Sequence, residues 1–416
     1  MLEKQGSYPG SVLSIRIVLF LLFAAAPLSA YSVLTHEAII DTAWDTSLKG
    51  LLKKHFPDVT PEQLKEAHAY AYGGAILQDM GYYPFGSKTF SDLVHYVRSG
   101  DFVIALLHDA QTVNEYAFAL GALAHYCSDI EGHPIATNRI VPLLYPKLKR
   151  KFGPIVTYED NPSAHLKVEF GFDVVQVANG AYAPQAYHDY IGFQVAKPVL
   201  ERAFADTYCV PLKNFFLSVD LALGSYRRSV GSVIPEMTKS AWAAKRDEIV
   251  KAHPGITGRR FRYNLSRASF EKEWGKQYEK PGLGARLLAF LFKLIPKVGP
   301  FRALAFRPLT PQSERLFMDS FNRSLARYQE LIGEESAGRL VLADDNFDTG
   351  KPVIEGEYHL ADQAYGKLLE KLADEKGDIS PGLRTNILSF YHDANAIPAG
   401  KARQEWERLQ TSEPRP

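Results

Sequence analysis

The sequence predicts an all-α protein: a multi-helix domain followed by a mostly helical C-terminal extension. Strand signals are sparse, and apolar residues recur at helical spacing through most segments, with Gly and Pro between them. Helix starts are also marked. Thr60-Pro-Glu-Gln-Leu-Lys-Glu combines a capping Thr, a Pro at the first helical position and acids in the first turn.

The elements follow in order. Lys4 and Arg16 precede an apolar run at 17–26 and then Pro-Leu-Ser-Ala30. This pattern predicts a secretory signal over 1–30, too short for a comfortable membrane span, with Tyr31 as the new N-terminus. An uncleaved anchor is the alternative. A helix is expected from Thr60, and a long apolar-faced one over 117–130. Further helices are expected over 197–216 and 229–251, a loop at His253-Pro-Gly, and helical patches near 269–278, 311–332 and 360–373. A soft boundary near 255 separates a catalytic domain over 31–255 from a C-terminal region, 256–416, with few chemical signals.

Composition narrows the classes. The 416 residues are 46% hydrophobic and 23% charged, enough for a large core or two domains. A net charge of +1 supplies no global field for nucleic acid or an acidic membrane. Two cysteines, Cys127 and Cys209, rule out a disulfide framework, leaving either one bridge or two buried thiols. Helical spacing turns Cys127 away from the histidines beside it and into the core.

The chemistry concentrates in His125-Tyr-Cys-Ser-Asp129-Ile-Glu-Gly-His133. Positions i, i+4 and i+8 share one helical stripe, with the outer pair about 12 Å apart along the axis. Bonds of about 2.0–2.1 Å cannot join both histidines to one zinc. The spacing therefore suits a multinuclear site, with Asp129 between ions and each histidine serving a different one. His165-Leu-Lys-Val-Glu169 is a second i, i+4 pair. His36 lies five residues after Tyr31, Asp79 is placed in a glycine-flanked turn, and His95 adds another imidazole. Taken singly, each has an ordinary explanation as a core histidine, a cap or a surface group. Taken together they share the nitrogen and oxygen donors that zinc favours.

In this order, His36, Asp79, His95, His125-x3-Asp129, His133 and His165-x3-Glu169 resemble the zinc-dependent phospholipase C family. The similarity is clear over 31–175 and extends through helical sequence to about 255. It implies an all-α fold of the phospholipase C/nuclease type and three zinc ions. By resemblance, Asp79, His95, His125 and Asp129 hold the first ion, and His133, His165 and Glu169 the second. The third takes the amine and carbonyl of Tyr31, with His36 and the bridging Asp129.

Tyr31 stands where the bacterial enzymes usually begin with Trp. The short gap to His36 is more like the related single-strand nuclease/3′-nucleotidase branch. The spacing of His133 and the run Glu169-Phe-Gly-Phe-Asp173 resemble the N-terminal domain of glycosylphosphatidylinositol-specific phospholipase D.

The expected activity is phosphodiester hydrolysis by metal-activated water, with Asp79 as general base and phospholipid head groups as substrate. A nuclease or 3′-nucleotidase on the same scaffold, and a non-catalytic metal-binding protein, are the alternatives. Near-zero charge and the lack of a basic, aromatic patch argue against nucleic acid. Residues 281–313 pair basic and apolar side chains without an acid. They read as a hairpin packed on the catalytic domain, or else as a peripheral membrane contact. Asp344-x-Asn346-x-Asp348-x-Gly350 only faintly resembles a calcium loop, because its Gly falls one place late and Pro352 intrudes.

Overall fold

The computed structural model describes residues 33–178, 193–230 and 305–411, with isolated positions between 234 and 251. Several expectations lie outside these residues: the signal at 1–30, the Tyr31 ligand, most of 229–251, the loop at 253–255 with the boundary near it, the patch at 269–278 and residues 281–304 of the segment 281–313.

The described chain is all-α. The helices are α1 (Val33–Ala43), α2 (Lys49–His55), α3 (Pro61–Leu77), α4 (Lys88–Tyr96), α5 (Ser99–Asp109) and α6 (Val113–Gly132). Then come α7 (Asn138–Leu144), α8 (Pro146–Phe152), α9 (Pro162–Ala178), α10 (Lys197–Tyr208) and α11 (Val219–Arg228). In the C-terminal region lie α12 (Pro311–Ser336), α13 (His359–Glu375), α14 (Pro381–Phe390) and α15 (Lys401–Thr411). Among the described residues the only strands are two-residue pieces, β1 (Asp345–Asn346) and β2 (Lys351–Pro352), paired antiparallel. No described helix is long and apolar enough to cross a membrane.

Local chemistry sets the helix ends. At α3, Thr60 accepts from Gln63 N at 3.2 Å while Gln63 Oε1 accepts from Thr60 N at 2.9 Å, a reciprocal capping box with Pro61 behind it. The expected helix over 197–216 stops at Tyr208. Cys209 is left-handed at φ 55° and Pro211 follows, so only a short 3-10 turn, Leu212–Phe215, continues. Both cysteines are free, and Cys127 is fully buried.

Helix α6 forms the axis of the molecule, buried along nearly its whole length and packed by α3, α5 and α12. Its closest neighbour is α3, and small residues set the separation. A Cβ on Gly74 would fall 1.8 Å from Phe118 O, and one on Gly121 2.1 Å from Ala71 O. Gly74 therefore belongs to a helix crossing, and Gly73, whose Cβ would fall 1.8 Å from Gln194 O, to a contact with the chain before α10; neither lies in the turn that holds Asp79. Asp79 itself sits in the 3-10 turn Gln78–Tyr82 that ends α3.

The C-terminal region joins the same core. Phe317, Phe321, Leu325, Tyr328 and Ile332 form the buried stripe of α12. Phe317 stacks on Phe172 of α9 at 4.0 Å, and Tyr328 donates to Leu120 O of α6 at 2.8 Å. At the described end of the basic and apolar segment, Phe306 is buried against Phe170, and Arg307 donates to Leu144 O at 2.6 Å.

Between α12 and α13 the chain runs as a strap across the ends of α4 and α6. Tyr126 donates to Ala343 O at 3.0 Å, Ser99 Oγ to Asp345 O at 2.7 Å, and Asp101 N to Asp344 Oδ1 at 3.0 Å. Gly350 also makes a tight approach. Its φ is +62°, and a Cβ there would lie 2.5 Å from Ile130 O near the end of α6.

Replacing Gly121 by Ala tests the α3–α6 crossing. Alanine gains about 1 kcal/mol of helix propensity. Its methyl must nevertheless push two backbones apart, and overpacking of this kind costs about 1–3 kcal/mol. The expected result is a lower unfolding midpoint in chemical denaturation; an unchanged or raised midpoint would show that the crossing is looser than described.

Candidate metal centre

Five parts of the chain bring the donor atoms together. Helix α6 carries His125 and Asp129, and His133 opens the π-helical turn His133–Thr137 that follows it. Pro134 has no N–H to continue the ladder, so the regular helix ends here. Helix α9 carries His165 and Glu169. His36 comes from α1, Asp79 from the turn after α3, and His95 from the last turn of α4. All eight are buried, with His36, His125, Asp129 and His165 at 0% exposure. Of the nine residues expected from sequence, these eight meet in one centre; Tyr31 lies outside the described residues.

Asp129 occupies the middle. Its Oδ2 is 3.2 Å from His125 Nε2 and 3.6 Å from His95 Nε2. Its Oδ1 is 3.5 Å from His36 Nε2 and 3.8 Å from His133 Nε2. On one side, His95 Nε2 lies 3.3 Å from His125 Nε2 and 3.5 Å from Asp79 Oδ1. On the other, His165 Nδ1 lies 3.8 Å from Glu169 Oε1. A tetrahedron of donors about 2.0–2.1 Å from zinc has edges of about 3.3–3.4 Å, close to these separations. Three sets of donors are compact enough to hold an ion: His36, His125 and Asp129; Asp79, His95 and His125; His133, His165 and Glu169.

The imidazoles are oriented by their other nitrogens. His125 Nδ1 donates to Ala75 O at 2.9 Å, a contact that the glycine-lined crossing of α3 and α6 permits. His95 Nδ1 donates to Ser91 O at 2.7 Å, and His165 Nε2 to Val156 O at 2.7 Å. His133 Nδ1 donates to a carboxylate, Asp348 Oδ1, at 2.8 Å. In each case the outer nitrogen donates away from the cluster and the inner nitrogen faces it, so that the neutral ring presents its lone pair inward, as metal-ligating histidines require.

Among the described residues, both carboxylate oxygens of Asp129 and Glu169, Asp79 Oδ1 and His165 Nδ1 are buried without a hydrogen bond. Buried carboxylates left in this way are costly unless a cation compensates them. The donors present, imidazole nitrogen and carboxylate oxygen, are those that suit zinc.

The charges are strongly coupled. Burial alone would lower the pKa of His95, but Asp129 and Asp79 outweigh it and raise it to about 9. For His133, burial is outweighed by Asp129 and Asp348, giving about 10. Burial raises Asp79 to about 6, against the opposing pull of His95 and His125. Burial also opposes ionisation of Asp129, yet His125 and His133 hold it well below the usual carboxylate range. His36 is lowered by burial and by the neighbouring His125, on which it stacks at 4.4 Å.

Sequence reasoning missed the strap. Phe347 N donates to His95 O at 3.2 Å, and its ring lies 5.1 Å from that of His95. The side-chain oxygens of the faint calcium pattern serve different partners: Asp344 accepts from Asp101 N, Asn346 Oδ1 accepts from Asp348 N and Thr349 N, and Asp348 turns to His133. No local signal near Asp348 could have announced a partner 215 residues away in sequence.

No curated protein and no solved structure matches the chain. The family model for zinc dependent phospholipase C matches residues 35–216. This span contains all eight buried donors of the centre and leaves the strap outside. Over residues 35–216 the chain is thus similar to the zinc-dependent phospholipase C family.

Proposed function

We propose that the chain is an exported phosphodiesterase that releases phospholipid head groups, using three zinc ions. Asp79, His95, His125 and Asp129 hold the first ion, and His133, His165 and Glu169 the second. His36, Asp129 and the amine and carbonyl of Tyr31 hold the third, once residues 1–30 are removed. The observation that carries this reading is the meeting of inward-facing imidazoles and buried carboxylates around Asp129, with edges of 3.2–3.8 Å.

Zinc, when bound, supplies Lewis acidity toward a phosphodiester and a lowered pKa for water. The protein's own groups do the rest. Asp79 would receive the proton of the attacking water, since a carboxylate among the metal donors can reach that water. Asp129 stays ionised and spans neighbouring donors from four helices or their ends. The buried walls exclude bulk water and keep the electrostatic interactions strong.

Metal content and head-group release test the assignment together. Protein beginning at Tyr31 is expected to carry about three zincs per chain, and a Met-extended form one fewer, with much weaker activity. Asp129→Asn is expected to lose zinc and more than about 100-fold in head-group release, beyond the about 10–100-fold cost of disturbing a group that only orients a ligand. Full activity in that variant would remove Asp129 from the bridge. Hydrolysis of single-stranded nucleic acid without head-group release would move the chain to the nuclease alternative, and zinc without either activity to the non-catalytic one.

Zinc uptake should also release protons. His95 and His133 are protonated at neutral pH in the metal-free centre, with pKa values of about 9 and about 10, and ligation requires both neutral. Affinity is therefore expected to rise as pH rises toward those values. Titration calorimetry in buffers of different ionisation enthalpy reads the released protons; a heat independent of buffer would contradict this charge assignment.

A further inference from the structure

We infer that Asp348, carried by the C-terminal strap, is a positioning residue that fixes His133 for metal binding, so that the centre is completed by chain outside the matched domain. The inference rests on the reading that His133, His165 and Glu169 hold a zinc.

Four observations converge on it. Asp348 is buried at 2% exposure, and its Oδ1 accepts from His133 Nδ1 at 2.8 Å. Its Oδ2 accepts from Tyr158 N at 2.8 Å and from Tyr358 Oη at 2.9 Å, so both oxygens are held in place. Its backbone is fixed as well: Asn138 Nδ2 donates to Asp348 O at 2.7 Å, and Asn346 Oδ1 accepts from Asp348 N at 2.9 Å. Finally, His95, His125 and His165 are anchored by main-chain carbonyls of nearby elements, whereas His133 is anchored by an ionisable side chain from a distant segment.

The difference has a chemical consequence. A carbonyl fixes the tautomer, but a carboxylate also adds negative charge behind the ring and makes the opposite nitrogen a stronger donor. Nε2 of His133 is the atom directed toward Asp129 Oδ1, at 3.8 Å. Asp348 thus sets both the direction and the basicity of that nitrogen. Gly350 allows the strap to lie close enough to α6 for the contact to form.

The test measures zinc affinity by competition with a chromophoric chelator, on protein beginning at Tyr31 and otherwise full length. The absorption spectrum of the cobalt-substituted protein is recorded in parallel. Asp348→Ala is expected to weaken one ion by about 10–100-fold and leave the others at wild-type affinity, with a changed cobalt spectrum. Tyr358→Phe keeps the carboxylate and removes one of its partners; a several-fold loss at the same ion is expected. This milder variant decides the matter if the alanine variant does not fold. Wild-type affinity in both variants overturns the role of Asp348. So does a loss spread equally over every ion in step with lowered stability, which would mark a purely structural contact. Wild-type protein that binds no zinc overturns the metal reading itself, and is distinguished by requiring no variant.

Discussion

A fully buried carboxylate, Asp129, is the constraint around which this molecule is arranged. Its two oxygens face imidazole nitrogens of His36, His95, His125 and His133 at 3.2–3.8 Å. Taking such a charge out of water costs several kcal/mol unless opposite charge and well-directed dipoles meet it. Each imidazole must therefore arrive at a fixed orientation, and the elements delivering them must pack closely. The separation of α3 and α6 is one result. Gly74 and Gly121 bring the backbones near enough for Ala75 O to receive His125 Nδ1–H. A wider crossing would lose that hydrogen bond and let the ring turn.

Much of this was legible in the sequence, because helical periodicity is a local property. The i, i+4 spacings His125/Asp129 and His165/Glu169 each place two donors on one helix face, and both pairs lie on helices as read. The cap at Thr60 and the helix near 311–332 were legible for the same reason: their signals lie within a turn or two of the structures they specify. Two misreadings have physical causes. Gly73-Gly74 looks like punctuation, but glycine serves equally where another backbone approaches, and a single chain does not reveal its neighbour. The helix expected over 197–216 ends early because Cys209 adopts a left-handed conformation, which nothing in its residue type demands.

Least legible was the strap. Asp348 and Phe347 reach the centre from beyond a long stretch of intervening chain, and no spacing rule connects them to His133 or His95. Their sequence context resembles a poor calcium loop, yet the acidic side chains diverge to separate partners. Burial tells more than pattern here. An aspartate at 2% exposure with three hydrogen bonds to its side chain is a structural commitment that a surface loop does not make. The C-terminal region therefore shares the core through α12 and the metal centre through the strap, although it carries no family pattern of its own.

The charge balance explains how such a centre can exist before it is loaded. Asp129 and Asp348 are held in their ionised forms by the imidazoles beside them, and His95 and His133 are held protonated by the same carboxylates. Protons on these imidazoles thus occupy the role of cations beside Asp129 and Asp348. Burial opposes every one of these charges, so each survives only because its partner does. A divalent ion entering the cluster displaces protons and brings charge that four buried carboxylates can use, those of Asp79, Asp129, Glu169 and Asp348. The same interlocking charges favour a cation over a neutral ligand among these carboxylates, and they link the cluster to the strap through Asp348 and His133.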